Sequence, residues 1–313
     1  MLSVIVPLFN EQESLKPLYG KLISALSKFD NKYEVIFIDD GSTDNSLQVL
    51  KELEKDQKVR VFSFRKNQGK AEALNFGFQK STGDIVVTLD ADLEDNPLEI
   101  AGLLKKLEEG YDLVTGWRKN RKHAWFMKIP SRLFNFLSGI FWGLKLHDYN
   151  CGLKGYKKEV VKNLQLYGGL HRFIPLLAFK QGFKVCEMPV MHEKRKYGKS
   201  KYGFSKVWKD LPDMFTMFFL AKYSSRPLHF FGLIGGLFIL IGISIIGYLT
   251  FIHYFYNESV GRRPLLFMGM LFVISGFQVF FTGFLADLII NISKNSNNGN
   301  DNNSLLKYSN EEK

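Results

Sequence analysis

The sequence predicts an α/β fold: a mostly parallel sheet wrapped by helices, followed by amphipathic helices and a pair of long apolar helices. Three observations predict it. Short β-rich runs alternate with helical patterns of ten or more residues between residues 3 and 190. Polar clusters close several of those runs. Residues 227–257 and 264–286 contain no Lys, Arg, Asp or Glu, and about twenty apolar residues suffice to cross a bilayer.

The elements follow in order. Residues 3–9 (SVIVPLF) read as a strand. Asn10-Glu11-Gln12-Glu13 carries an N-cap residue with Glu three places on, which predicts a helix to about Phe29. Residues 33–38 (YEVIFI) form a second strand closed by Asp39-Asp40-Gly41-Ser42, and Thr43-Asp44 opens a helix. Residues 59–64 are a third strand, and a helix runs from Gly69 to about Gln79. Residues 84–89 (DIVVTL) are a fourth strand, ending on Asp90-Ala91-Asp92. A helix begins near Pro97, and 112–117 is a fifth strand ending at Arg118. Residues 148–156 read as a turn and short strand, 168–181 as helical and 183–190 as a last strand.

Alternation of this kind argues for a parallel sheet covered on both faces, and such sheets bind ligands at the carboxyl ends of their strands. Asn10-Glu11, Asp39-Asp40, Asp90-Asp92 and Arg118 all fall there. In extended chain, residues two apart point to one side, so Asp90 and Asp92 can face a common point. Two carboxylates so close favour a cation between them, and hard divalent ions such as Mg²⁺ or Mn²⁺ take oxygen ligands. An isolated pair of this kind reads most simply as a solvated loop. Four polar clusters on one rim outweigh that reading.

The chain has 313 residues, a formal net charge of +11, 46% hydrophobic residues and 29 Phe. That charge suits anionic partners: nucleic acid, lipid head groups or phosphorylated substrates. Cys151 and Cys186 lack metal-ligand spacing and read as free thiols in a reducing compartment. His147, His171 and His192 show no acidic or Cys partners at metal spacing and read as structural or interfacial. No signal peptide is expected at the N-terminus. Basic and aromatic residues interleave over about 120–146, including Arg132, which suits a membrane surface better than nucleic acid given the apolar helices downstream. Residues 192–209 form a Lys-rich loop with Gly198, Ser200 and Gly203 that can wrap a phosphate, and 204–222 read as an amphipathic helix.

The two apolar runs are separated only by Asn257 to Arg263 and are expected to form a hairpin. Cations concentrate between 194 and 226, whereas the turn holds only Arg262 and Arg263, so the globular part is expected in the cytoplasm. Gly269, Gly276 and Gly283 recur every seven residues and Gly232 and Gly236 lie one turn apart, as in a close helix seam. The polar tail from Ser293 is expected to be disordered. The expected domains are a globular part over 1–203, a juxtamembrane helix over 204–226, a membrane hairpin over 227–290 and a tail over 291–313.

Val6-Pro7-Leu8-Phe9-Asn10-Glu11, Asp39-Asp40-Gly41-Ser42-Thr43-Asp44, Asn67-Gln68-Gly69-Lys70 and Asp90-Ala91-Asp92 occur in the order and spacing of family 2 glycosyltransferases with the Rossmann-like GT-A fold. More narrowly, the chain resembles polyprenyl-phosphate glycosyltransferases, dolichyl-phosphate mannosyltransferase and bacterial undecaprenyl-phosphate glucosyltransferases among them. Arg195-x-x-Gly198-x-Ser200-Lys201 followed by two apolar helices carries this narrower likeness.

The resemblance implies a membrane-bound, inverting hexosyltransferase with its catalytic domain in the cytoplasm. Its donor would be a nucleotide sugar and its acceptor polyprenyl phosphate; it would contact membrane lipids, bind no nucleic acid and form homo-oligomers. Pro7, Phe9 and Glu11 would hold base and ribose beside Asp39 and Asp40, with Lys70 and Ala91 in the same donor site. Asp90 and Asp92 would set the diphosphate and a Mg²⁺ or Mn²⁺ ion. Glu94 stands where related mannosyltransferases have Gln and is a candidate third ligand. Arg118 and Arg132 match phosphate-binding arginines, and Arg195, Lys199, Ser200 and Lys201 match the basic loop. Gly152 stands where some bacterial relatives carry Asp, so a catalytic Asp is not expected there.

UDP-glucose is the leading donor and GDP-mannose the alternative. A processive polysaccharide synthase is disfavoured, because no Gln-x-x-Arg-Trp motif is present. A non-catalytic membrane adaptor is disfavoured by the intact Asp90/Asp92 pair.

Overall fold

A computed structural model of the chain describes residues 1–29, 32–119, 143–193, 219, 223, 226–257, 259 and 264–297. Arg132, Arg195, Lys199, Ser200 and Lys201 lie outside the described residues, as does most of the expected interfacial segment, basic loop, juxtamembrane helix and tail. The chain divides into two compact units, Met1–Met217 and Phe218–Lys313.

The first unit is built on seven strands: β1 (Leu2–Leu8), β2 (Tyr33–Asp39), β3 (Val59–Ser63), β4 (Ile85–Thr88), β5 (Leu113–Arg118), β6 (Lys154–Lys157) and β7 (Val185–Val190). They lie in the order β3-β2-β1-β4-β6-β5-β7. β1 runs parallel to β2 and β4, β2 to β3, and β5 to β7, while β6 runs antiparallel to both its neighbours. The sheet is thus mixed and mostly parallel, as expected. The chain travels outward from β1 through β2 to β3, then returns to place β4 on the other side of β1. Parallel sheets open a crevice where their order reverses in this way.

The helices are α1 (Leu15–Leu26), α2 (Ser46–Leu53), α3 (Lys70–Lys80), α4 (Ile100–Glu108), α5 (Lys158–Asn163) and α6 (Ile174–Lys180). Leu15, Leu18, Leu22 and Leu26 place a fully buried stripe along α1, and Ile100, Leu103 and Leu107 do the same on α4. Both stripes join the core cluster that includes Val4, Val6, Val35 and Phe37 of the central strands. β1 and β2 are buried at every position, which is why they read as continuous apolar runs.

Several local expectations change. Helix α1 starts at Leu15, not beside Asn10, because Asn10 takes a left-handed backbone (φ 55°) and turns its side chain to Thr43. The helix near Pro97 opens as a 3₁₀ turn, Pro97–Glu99, whose cap is the Asn96 side chain accepting from the Leu98 N–H at 3.1 Å. The helical stretch at 168–181 splits into a 3₁₀ turn, Gly168–Arg172, and α6. Helix α5 has six residues, too few to show a helical period in sequence.

In the second unit, α7 (Pro227–Tyr256) and α8 (Pro264–Asn297) pack against one another. Helix α8 continues past Ser293, where the polar tail was expected to begin. Two stretches are long and apolar enough to cross a membrane, Pro227–Tyr256 and Pro264–Ile290, with mean hydropathies of 2.4 and 2.0. Their contact is a glycine seam. A methyl group on Gly235 would come within 2.7 Å of the Gly276 carbonyl oxygen, and one on Gly242 within 2.7 Å of the Gly269 carbonyl. Gly283 meets Phe231 in the same way, at 2.6 Å. The seven-residue spacing on α8 therefore marks the seam, as expected. Its counterparts on α7 are Gly235 and Gly242; Gly236 has open space where a side chain would stand.

Candidate active site

The crevice between β1 and β4 forms because their ladder stops early. Pairing ends at Ile5 and Thr88, while β1 runs on beside β2 to Leu8 and Asp39. Pro7, which has no N–H to donate, sits in the part of β1 that has only one strand neighbour. Phe9 and Glu11 follow on the rim, both half-buried.

This rim is stitched to the loop after β2. The Asn10 N–H donates to Ser42 Oγ at 2.8 Å, the Thr43 N–H donates to Asn10 Oδ1 at 2.7 Å, and the Glu11 N–H donates to Ser46 Oγ at 2.9 Å. The serines, threonine and asparagine of the two motifs thus serve first to hold the loops together.

Asp39 and Asp40 do the same from below. Asp39, 1% exposed, accepts from the Ser42 N–H at 2.9 Å and from Ser63 Oγ at 2.7 Å. Asp40, 4% exposed, accepts from the Gln68 and Gly69 N–H groups at 2.7 and 3.0 Å. Burial raises the Asp40 carboxyl above its ordinary value, the two N–H donors oppose it, and the Asp39 charge adds to it. Together these carboxylates fix the loop that carries Gln68 and Gly69. Gly69 then turns the chain at φ 94°, a conformation that favours glycine, and α3 begins at Lys70.

Lys70 Nζ bonds the Asp90 carboxylate, joining the third and fourth motifs. Burial works against charge on Asp90; Lys70, then Lys154 and Arg118, more than offset it, and the carboxyl lies below the ordinary range. Asp92 behaves in the opposite way. Burial, then the charges of Asp90 and Glu94, push it up to about 7, although the Glu94 N–H donates to it at 3.2 Å. Ala91 is buried between them, and Leu93 is buried in a left-handed conformation at φ 61°. Such a backbone costs about 1–2 kcal/mol for a residue with a Cβ, and residues held this way cluster at functional sites.

Glu94, expected as a third ligand for an ion, faces His192, with its Oε2 3.7 Å from Nε2. Asp95 lies 3.7 Å from the other ring nitrogen of His192 and pairs with it in an isolated β-bridge. His147 meets Glu187. His147 and His192, read as without acidic partners at metal spacing, thus meet carboxylates from segments distant in sequence, Glu187 on β7 and Glu94 and Asp95 in the loop after β4. Among the described residues no three His, Cys, Asp or Glu side chains converge on one ion position. Asp90 and Asp92 nevertheless suit a divalent cation, since they offer oxygen donors side by side in a place where burial and then their mutual repulsion oppose a second negative charge.

Arg118 forms a buried bidentate pair with Asp148, Nε–Oδ2 2.6 Å and Nη2–Oδ1 3.0 Å. Burial opposes its charge, but the Asp148 contacts raise its pKa overall. The expected phosphate arginine is thus also the anchor of the 148–150 turn, where the Asn150 N–H donates to Asp148 at 3.1 Å.

The 150–154 segment closes the site from below. A pocket is lined by Lys70, Thr88, Asp90, Asn150, Lys154 and His171, among others. Gly152 is required there, because a Cβ would fall 2.4 Å from the Asp90 carboxyl carbon. Lys154 is 3% exposed and donates to the Cys151 carbonyl. Burial pulls its ammonium down to about 8, with Lys70 pushing the same way. His171 is pulled down to about 3 by burial and then by Lys70 and Arg172, so its ring is neutral. Lys154 and His171 were not expected at the site. The available signal was a lysine in a short strand between Leu153 and Gly155, a position that alternation makes inward-facing.

The model of the "Glycosyl transferase family 2" family matches residues 3–165, just over half of the chain. The chain belongs to glycosyl transferase family 2. All four motif clusters at the crevice lie inside the matched span. This family 2 glycosyltransferase is also 36% identical, over 294 residues, to a dodecaprenyl-phosphate galacturonate synthase of Rhizobium johnstonii. That match covers 92% of this chain and 87% of the relative.

Among solved structures it resembles glucosyl-3-phosphoglycerate synthase of Mycobacterium tuberculosis. In complex with Mn²⁺ and UDP-glucose, that enzyme gives a TM-score of 0.55 at 20% identity, covering 71% of this chain and 78% of that one. With Mn²⁺, UDP and phosphoglyceric acid the TM-score is 0.56, at the same identity and coverage. These likenesses show the GT-A-type fold.

Proposed function

We propose that this glycosyltransferase moves a sugar from a nucleotide donor to polyprenyl phosphate at the membrane surface. The observation that carries the reading is the match to the dodecaprenyl-phosphate synthase, which includes most of the apolar C-terminal unit as well as the catalytic domain. The two bilayer-length helices support a membrane location. The cations between 194 and 226, against two in the hairpin turn, support a cytoplasmic catalytic domain and a multi-pass anchor.

The nucleotide lies across the β1–β4 crevice, with base and ribose against Pro7, Phe9 and Glu11 over the loops that Asp39 and Asp40 hold. Asp90 and Asp92 would hold a divalent ion, Mg²⁺ or Mn²⁺, which would supply positive charge to neutralise the departing diphosphate. Lys70, positioned on Asp90, adds a second cation beside the leaving group. Arg118 contributes its field from its pair with Asp148, and Arg132, Arg195, Lys199, Ser200 and Lys201 receive the lipid phosphate.

The acceptor is its own nucleophile. A phosphate monoester has a second pKa near 6, so its oxygen attacks C1 as the anion and the C1–O bond to the nucleoside diphosphate breaks with its electron pair. A dedicated base is unnecessary, which agrees with Gly152 standing where an Asp is found in some relatives. In-line displacement inverts the anomeric centre, and the product is a polyprenyl-phosphate glycolipid.

We take UDP-glucose as the leading donor, with GDP-mannose and other UDP-sugars as alternatives; the relative's name adds galacturonate as a candidate sugar. A screen of nucleotide sugars against dodecaprenyl and undecaprenyl phosphate, with lipid products identified by mass, tests the reading. One donor yielding a sugar-phosphate lipid is expected. Transfer only to carbohydrate or protein acceptors would contradict it.

A further inference from the structure

The loop that carries Asp92 is fastened from the far edge of the sheet. β7 is an edge strand, and β5 and β6 stand between it and β4. Just past the end of β7, His192 pairs with Asp95 in an isolated antiparallel bridge, and the Glu193 N–H donates to the Glu94 carbonyl at 2.8 Å. The Glu193 carboxylate in turn lies 3.5 Å from Lys21 of α1. The His192 side chain, 8% exposed, is set between two carboxylates: Glu94 Oε2 is 3.7 Å from Nε2, and Asp95 Oδ1 is 3.7 Å from Nδ1.

This strap bears directly on Asp92. The Glu94 N–H donates to the Asp92 carboxylate at 3.2 Å, and the Glu94 carbonyl is the group that Glu193 holds. Leu93, between Asp92 and Glu94, is left-handed at φ 61°. That backbone costs about 1–2 kcal/mol and persists only where the surroundings impose it. Asp95 is buried, with the imidazole on one side and the Cys151 thiol, a weak donor, 3.9 Å away. A buried carboxylate requires donors, so the ring helps to keep Asp95, and the loop with it, in place.

We infer that His192 is a positioning residue for the divalent-ion site: it holds the 92–95 loop in the form that sets Asp92 beside Asp90. This assignment rests on the proposed ion at Asp90 and Asp92 and goes beyond it by making the affinity for that ion depend on a residue from the opposite edge of the sheet. Outer partners that orient an ion's ligands typically change metal affinity by about 10–100-fold. The coupling is reciprocal: an ion that prefers the strapped loop must itself stabilise the strap.

The test is Mn²⁺ binding by the full-length protein in detergent at pH 8, read from the paramagnetic resonance signal of the free ion, without donor or lipid. His192→Leu and His192→Asn introduce side chains of nearly the same shape, and only Asn can donate to Asp95. His192→Leu is expected to bind Mn²⁺ about ten-fold or more weakly, and His192→Asn to stay within about three-fold of wild type. Wild-type affinity in His192→Leu, or an Asn variant no better than Leu, overturns the inference. A second measurement uses wild type alone and so is independent of whether the variants fold. Hydrogen exchange of the Glu193 N–H is expected to slow on saturation with Mn²⁺, by up to about the same ten-fold. Bound Mn²⁺ with no slowing there overturns the inference and leaves the ion site standing. Failure of wild type to bind Mn²⁺ removes the ion site itself, and the inference with it.

Discussion

At the residue scale the site is governed by two carboxylates treated in opposite ways. Asp90 is held ionised by Lys70, and Asp92 is pushed up to about 7 by burial and by its acidic neighbours. The folded protein thus keeps the Asp92 proton well above 3.8, the ordinary value at which the unfolded chain releases it. Stability from this group is present below about pH 4 and is lost as pH rises to about 7. In the absence of divalent ions, Asp92→Asn is therefore expected to raise the melting temperature at pH 8 and to change it little at pH 4; the reverse pattern would contradict the repulsion. Asp92→Ala should abolish transfer while circular dichroism and membrane insertion stay normal. Gly152→Ala makes a second test, since its methyl group would lie 2.4 Å from the Asp90 carboxyl carbon. Transfer is expected to fall by about ten-fold or more with the fold intact, the scale of loss for a displaced catalytic group; wild-type rates would show that Asp90 has room to move.

At the element scale, β1 and β4 make the site by parting early, and the loops after β1 and β2 are cross-bonded into one rim. The strands were legible in sequence because β1, β2 and β4 are buried on both faces and their apolar runs end on polar clusters. The short strand read within 148–156 is β6, though its antiparallel pairing was not legible; helix α5, six residues long, was not read at all. The helix start at Asn10 was misread because a residue that can cap a helix can equally hold a turn, and here Thr43 takes its side chain. Asp148 and the partners of His192 were hidden for another reason: each contact joins segments far apart in the chain. The hairpin seam was half legible. Its heptad spacing on α8 was right, but one-turn spacing on α7 pointed to Gly232 and Gly236 instead of Gly235 and Gly242. Gly276→Ile forces the helices apart and is expected to lower stability in detergent by about 1–3 kcal/mol, whereas Gly236→Ile meets open space and should be nearly silent. Equal effects of the two substitutions would place the seam elsewhere.

At the scale of the whole molecule, a soluble-type donor site and a bilayer-length hairpin occur in one chain, and a strongly basic composition accompanies both. That combination suits an enzyme whose donor is a water-soluble dianion and whose acceptor is an anionic lipid. In the proposed reaction the nucleotide would be handled by oxygen ligands and backbone stitching at the crevice, and the lipid phosphate, already ionised, would need cations more than a base. The measurement that tests this most directly is release of nucleoside diphosphate by the purified full-length protein, with its preferred nucleotide sugar and Mn²⁺, in detergent with or without dodecaprenyl phosphate. Release is expected to require the lipid phosphate, to stop when the ion is chelated, and to be absent in Asp92→Ala. Release at the same rate with the unphosphorylated polyprenol, or undiminished in Asp92→Ala, would contradict the account.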